Sequence, residues 1–330
     1  MYFKHEPSLA GRTFGEALLS YEDSALMGLR FKDGSIRLNP PMDTLIESGD
    51  RVIAISQDDD TIHISGRTDY GIDESAIIET DERKIAPERT IMLGWNGRAL
   101  AILREIDNYV SPGSEALVVA QGEEAQSMIA QQSFSNMKVS FRQGDTTDRR
   151  LLDNLAIETY EHIIVLSMGE SLDPQQADAR TLITLLHLRD IATRQGFPFS
   201  ITSEMLDIRN RELAEVTRAD DFIVSDKMLS LMLSQISENK ELAAVFQDLF
   251  DPAGSEIYLK PATDYIRPGR AINFYTVVEA ARRRGEVAIG FRLQAEAYDP
   301  AKSYGVKVNP AKSKMVTLAK EDRVIVLAED

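Results

Sequence analysis

The sequence predicts an α/β protein: a doubly wound parallel sheet flanked along the chain by two copies of one small α+β module. Two observations predict it. The first is an internal repeat. "GRTFGEALLSYEDSALMGLRFKDGSIRLNPPMDTLIESGDRVIAI", from Gly11 to Ile55, is matched near the other end by "GRAINFYTVVEAARRRGEVAIGFRL" and "YGVKVNPAKSKMVTLAKEDRVIVL", from Gly269 to Leu327. Both copies open on Gly-Arg and run through a short amphipathic helix. Both continue with a Gly-apolar-Arg strand (Gly28 to Arg30; Gly290 to Arg292) and an alternating strand stopped by Asn-Pro (Asn39-Pro40; Asn309-Pro310). Both close on Asp-Arg-Val-Ile (Asp50 to Ile53; Asp322 to Ile325). The second observation is an alternation of short apolar runs with helical patterns between the copies, the signature of βαβ units. The central unit therefore reads as Rossmann-like.

In chain order, residues 1–64 are the first α+β module and 65–88 an acidic linker containing Asp81-Glu82. Residues 89–225 are the parallel sheet unit. Its strands are expected at Thr90–Leu93, Ala116–Ala120, Val139–Arg142, Ile163–Ser167, Phe199–Ser203 and Asp221–Val224. A long helix over Asp178–Arg194 is marked by Leu182, Ile183, Leu185, Leu186 and Ile191 at helical spacing. Residues 226–253 form a crossover helical region, with a second long helical region over Asp226 to Phe250, and 254–330 are the second module. Met205, Met228 and Met232 are expected to fill the core.

Composition narrows the function. The chain has 330 residues, 37 basic against 53 acidic, for a net charge of −16. Such a surface repels nucleic-acid phosphates, and the densest basic run, Arg282 to Arg284, is short enough to be a solvated helix end. The absence of cysteine removes disulfides, thiolate nucleophiles and Cys-based metal sites. No stretch approaches the roughly 20 apolar residues of a membrane span, so the chain is expected to be soluble.

The chemistry-bearing motif is "TIMLGWNGRALAIL", Thr90 to Leu103, a strand entering a glycine turn and then a helix. A dinucleotide fingerprint places glycine at its first, third and sixth positions, for a tight turn, close approach to pyrophosphate, and helix packing. Here those positions hold Gly94, Asn96 and Ala99, and Trp95 replaces a small residue. The second strand should end about 20 residues on with an acid for the ribose; it ends at Ala120-Gln121, with Glu123 and Glu124 arriving late. These departures argue against a nucleotide. The helix N-terminus still offers N–H groups to a ligand. The candidate crevice residues are Gly94, Trp95, Asn96, Gly97 and Arg98, with Gln121 and, after the third strand, Asp145 and Thr146. For a hard cation the candidates are Asp58, Asp59, Asp60 and Asp145, although the first three lack calcium-loop spacing. No catalytic residue is assigned: there is no G-x-S-x-G elbow, Walker loop or H-E-x-x-H, and the four histidines are scattered.

With these motifs in place, the chain resembles the cytosolic region of CASTOR and POLLUX type ion channels, built from RCK (TrkA-like) regulatory domains. The resemblance rests on Met92-Leu93-Gly94-Trp95, Ser111 to Glu115 ("SPGSE"), "DARTLITLLHLRDI" (Asp178–Ile191), "LFDPAGSEIYLKPA" (Leu249–Ala262) and "VAIGFRL" (Val287–Leu293), and it covers nearly the whole chain. It departs from the family after the tryptophan, at Asn96, Gly97 and Arg98. The resemblance implies that both α+β modules are RCK-C-like lobes and that 89–225 is an RCK-N lobe. It implies a non-enzymatic gating-ring module on the cytoplasmic side of a membrane, coupling a ligand, Ca²⁺ in plant members, to a pore. The implied partners are the pore-forming transmembrane region and other copies of the chain in a dimer or ring. The rival reading is a soluble NAD(P)-dependent oxidoreductase on the same sheet, for which the sequence supplies no clear proton donor or acceptor.

Overall fold

The structure, a computed structural model, describes residues 1–79, 86–169, 172–196, 200–210, 221–251, 254–297 and 299–329. The linker acids Asp81 and Glu82, Phe199 at the expected start of the fifth strand, and Pro252-Ala253 of the quoted "LFDPAGSE" motif lie outside these. The chain divides into two compact units: residues 1–82 with 239–330, and residues 83–238.

The first module places β1 (Tyr2–His5), α1 (Phe14–Leu19), β2 (Ala25–Arg30), β3 (Ile36–Leu38) and β4 (Arg51–Ile55) in an antiparallel sheet of order β1-β4-β2-β3. Thr13 starts α1 with a reciprocal cap: its hydroxyl accepts from Glu16 N–H and the Glu16 carboxylate accepts from Thr13 N–H.

Residues 83–238 form a separate six-stranded sheet, every neighbour parallel, of order β10-β9-β8-β5-β6-β7. The strands are β5 (Arg89–Leu93), β6 (Ser114–Ala120), β7 (Met137–Gln143), β8 (His162–Val165), β9 (Ser200–Met205) and β10 (Asp221–Val224). Between them run α2 (Ala99–Tyr109), α3 (Glu123–Ala130), α4 (Arg149–Asp153) and α5 (Pro174–Gln195), and α6 (Ser225–Glu238) follows β10. Read from β7, this is the order of doubly wound dinucleotide-binding sheets, with its switch point between β5 and β8. Asp173 caps α5 ahead of Pro174, and Gly196 at φ +67° ends it. The α5 stripe is only partly inside: Leu185, Leu188 and Ile191 are buried, whereas Ile183 and Leu186 are exposed.

The remainder of the first unit consists of α7 (Leu242–Leu249), β11 (Glu256–Pro261), β12 (Ala271–Asn273), α8 (Phe274–Arg282), β13 (Val287–Arg292), β14 (Val306–Val308), β15 (Met315–Thr317) and β16 (Arg323–Ala328). The crossover helical region consists of two helices, α6 and α7. Asn239 accepts from the Glu241 N–H at 3.0 Å, a turn that competes with helix continuation between α6 and α7. Met205 is buried as expected, but Met228 is 48 % exposed on α6, next to exposed Leu229, Leu231 and Leu233. No helix among the described residues is long and apolar enough to cross a membrane.

The repeat is structural. The second sheet has the order β11-β16-β13-β14, matching β1-β4-β2-β3 strand for strand, with the same register shift beside Gly28 and Gly290. Asp50 accepts the N–H groups of Lys32 and Glu47 at 3.0 and 2.8 Å; Asp322 accepts those of Gln294 and Ala319 at 2.8 and 2.7 Å. Asn39 and Asn309 both take the left-handed conformation, at φ 40° and 51°. Asn39 Nδ2 donates to the Gly285 carbonyl at 3.0 Å and Asn309 Nδ2 to that of Asp23 at 2.8 Å. Gly285 and Asp23 are themselves equivalent positions, so the two modules are joined about a pseudo-two-fold axis. They share one apolar core, in which α1 meets α8 and β2 meets β13.

One buried residue breaks this symmetry. Lys312 occupies the position of Met42, is 2 % exposed, and donates Nζ to the carbonyls of Tyr21, at 2.7 Å, and Ser24. Burial drives its pKa down to about 7, against the opposing pull of Glu22 and Asp23. Between that value and the ordinary lysine range the unfolded chain binds the extra proton, so stability rises with pH across this window, by up to ~1.4 kcal/mol per unit. Burial pushes the hydroxyl pKa of Tyr21, Tyr265 and Tyr275 upward, which acts only above the usual tyrosine range. Urea unfolding between about pH 6 and about pH 9 is expected to show the rise in the native chain and a clearly smaller one in Lys312→Met, the remainder owed to the Met1 amino group, whose pKa burial also lowers.

Candidate functional site

The crevice lies at the C-terminal ends of β5, β6 and β7, where a parallel sheet opens toward its ligand. Gly94 turns the chain out of β5 at φ +102°, and a Cβ there would stand 2.5 Å from the Leu166 carbonyl, so only glycine fits. Beyond it, a cavity of about 460 Å³ is lined by Gly94, Trp95, Asn96, Gly97, Gln121 and Thr146, together with Leu100, Glu124, Met128 and Met168 among others. Six of the eight crevice candidates thus share one cavity. Trp95, Leu100 and the methionines supply apolar walls. Among the described residues no lysine or arginine lines the cavity, and Glu124 adds a negative charge.

Asn96 faces the protein. It is 4 % exposed, and its Nδ2 donates to the Ser167 carbonyl and to Glu204 Oε2, both at 2.8 Å. Its Oδ1 accepts from Arg98 N–H at 3.0 Å and its carbonyl from Ala99 N–H at 3.0 Å. Two donors at the start of α2, which a dinucleotide site would direct at pyrophosphate, are therefore satisfied by the chain itself.

Arg98 is not on this cavity. It pairs with Glu204, a carboxylate only 7 % exposed on β9, and lines a second, mostly apolar cavity with Ile102, Ile106, Tyr109 and Ile164. Asp145 is likewise outside the lining. Its carboxylate accepts from Thr147 N–H and Oγ1 at 2.9 and 2.7 Å and pairs with Arg180 at 2.5 Å. Partial burial pushes its pKa up, but the Thr147 bonds and the Arg180 guanidinium outweigh this and hold the carboxyl below its ordinary range. Thr146 is buried, its carbonyl accepting from Thr184 Oγ1 on α5 at 3.2 Å. No local sequence motif marks Glu204, Ser167 or Arg180 as site residues. A lone acid closing the strand "SITSEM" was the available signal for Glu204.

Asp58, Asp59 and Asp60 place carboxylate oxygens within 4.8 Å of one another, and all three are exposed. Ca²⁺ takes 6–8 oxygen ligands, and three monodentate groups supply at most about half that shell. Asp58 is also engaged as a cap, accepting from Asp59 N–H at 2.8 Å. Asp145 belongs to the other unit. These residues suit a hard cation by donor type but do not make a closed site.

The fold has a solved counterpart. Over 99 % of this chain and 65 % of the other, it superposes on the human SLO3 gating ring with a TM-score of 0.69 at 14 % identity, a likeness of architecture. The sequence is more specific. Residues 1–70 match the family described as "Castor and Pollux, part of voltage-gated ion channel". The chain is 28 % identical over 366 residues to the probable ion channel POLLUX of Arabidopsis thaliana, covering 99 % of this chain and 43 % of that protein. It is also 28 % identical over 330 residues to the ion channel CASTOR of Lotus japonicus, covering 88 % and 38 %. The chain thus resembles CASTOR and POLLUX ion channels, and it spans less than half the length of these relatives.

Proposed function

We propose that this chain is a ligand-sensing, non-enzymatic regulatory module of a cation channel, acting on the cytoplasmic side of a membrane. Similarity to an ion channel along 99 % of the chain, on a gating-ring architecture, carries this reading. The crevice supports a ligand-sensing role: apolar walls and polar groups converge there. A ligand there would gate by binding one arrangement of the module better than another. The partners in this reading are the channel's pore-forming transmembrane region and further copies of the chain in a dimer or ring. The exposed apolar residues of α6 offer a contact surface for them. Ca²⁺ is the first ligand to test, on the family resemblance. The satisfied turn and the lack of a basic residue in the lining argue against nucleotides.

Thermal unfolding of the chain with Ca²⁺, Mg²⁺, NAD, NADH and adenine nucleotides tests this, with Gln121→Trp as a variant that fills the cavity mouth. A ligand at about 100 times its Kd adds ~2.7 kcal/mol of stability. A shift without turnover, abolished by Gln121→Trp for a crevice ligand, is expected. Consumption of NADH with an oxidised or reduced product would instead establish the oxidoreductase.

A further inference from the structure

The crevice of a parallel sheet ordinarily draws an anion, because helix N-termini point free N–H groups into it. In this chain the helix ends at the cavity are already answered. At α2 the Asn96 side chain and carbonyl accept from the Arg98 and Ala99 N–H groups, each at 3.0 Å. At α3, Gly122 and Glu124 line the cavity, and the first turn carries Glu123 and Glu124, the negative charge that a helix N-terminus favours. Arg180 lines a neighbouring cavity that shares Gln121 and Met168, but it is paired with Asp145 at 2.5 Å. Glu124 is exposed and has no cationic partner among the described residues. The charge left facing the cavity is therefore negative.

The walls point the same way. Trp95 is partly buried against the cluster that holds Met92 and Leu103, and it lines the cavity with Leu100, Met128 and Met168. An indole face attracts a cation through its quadrupole, more strongly than a phenyl ring does, and the attraction grows as water is excluded. Thioethers are polarisable and adapt to irregular apolar bodies. A carboxylate, an indole and two thioethers around about 460 Å³ suit a soft cation with an apolar body. They do not suit a hard divalent ion, which takes roughly six to eight oxygen ligands.

We propose that the crevice takes an organic ammonium ligand, a small amine or quaternary ammonium. Its charged head is met by Trp95 and the Glu124 carboxylate, and its apolar body lies along Leu100, Met128 and Met168. This rests on the reading of the crevice as a ligand-sensing site and adds the class of ligand to it. Discrimination comes from charge. An uncharged molecule of the same shape keeps the apolar contacts and loses the attraction to both Trp95 and Glu124, whereas an anion is repelled by Glu124 and finds no base in the described lining.

Trp95 is the chain's single tryptophan, so its fluorescence reports on this cavity directly. The full chain is titrated at constant ionic strength with choline and phenethylammonium, and in parallel with dimethylbutanol and phenylethanol, their uncharged analogues. At least one ammonium probe is expected to change the Trp95 emission saturably and to bind about tenfold tighter than its analogue. Glu124→Gln should remove most of that preference at an unchanged unfolding midpoint, since the side chain is exposed, and Glu124→Lys should abolish ammonium binding. Trp95→Leu, followed by calorimetry, should weaken the ammonium probes more than their analogues. Equal affinity for the charged and uncharged members of each pair, or a preference that survives Glu124→Gln, would overturn the proposal. So would no response to either ammonium at about 10 mM, well above a millimolar Kd. NAD or ATP changing the Trp95 emission where the ammonium probes do not would overturn the ligand class and leave the crevice a sensing site. Ammonium binding that leaves hydrogen exchange in α6 unchanged would sustain the class and remove the regulatory reading.

Discussion

Gly28→Val and Gly290→Val are each expected to lower the unfolding midpoint of the unit formed by 1–82 and 239–330 by about 6–12 °C, corresponding to roughly 3 kcal/mol. A Cβ on Gly28 would stand 2.3 Å from the Arg37 carbonyl, and one on Gly290 would stand 2.2 Å from that of Lys307. The obstacle is backbone of the neighbouring strand, β3 in one module and β14 in the other, so no rotamer relieves it. Both glycines sit at the register shift where their strand bends toward its partner. The two losses should be similar because the environments are copies. Differential scanning calorimetry of both variants measures them. A loss at one site only would show that the modules are not equivalent in energy, whatever their topology.

Asn96→Leu is expected to cost the 83–238 unit about 2–4 kcal/mol, although leucine has nearly the same shape. It removes a donor from Glu204 and from the Ser167 carbonyl, and leaves the Arg98 N–H without its side-chain acceptor. Glu204 keeps Arg98 and the Ser167 N–H, so the buried carboxylate is weakened rather than stranded. Circular dichroism during urea unfolding follows the loss, which should leave the 1–82 and 239–330 unit at its native midpoint. If Asn96→Leu instead left stability unchanged and abolished ligand binding, the side chain would be a ligand contact and the inward hydrogen bonds would be secondary.

These residues show what the sequence makes legible. The repeat could be read because its key positions have narrow chemical requirements. Only glycine fits at positions 28 and 290, asparagine suits the left-handed turns at 39 and 309, and aspartate at 50 and 322 can accept two backbone donors at once. Spacing preserves those demands along the chain. The Gly94 turn was legible for the same reason. The inward orientation of Asn96 was not, because its partner Glu204 lies 108 residues away and no local pattern ties them. Likewise Asp145 reads as a free carboxylate until α5 brings Arg180 to it. Helical spacing located α5 but not its buried face, since Ile183 and Leu186 carry the same hydropathy as Leu185 and Leu188. Between α6 and α7 the Asn239 side chain accepts from the Glu241 N–H, a local turn that apolar periodicity does not reveal.

In the proposed function, ligand binding is transmitted to the surfaces through which the module acts. Hydrogen–deuterium exchange on the chain, without ligand and with saturating Ca²⁺, NAD or ATP in turn, tests it directly. At least one of these ligands is expected to change exchange both at its binding site and in α6, Ser225–Glu238, where the exposed apolar residues lie. Protection confined to the residues around a bound ligand, with α6 unchanged under every condition, would contradict the account and leave a binding protein without a regulatory output.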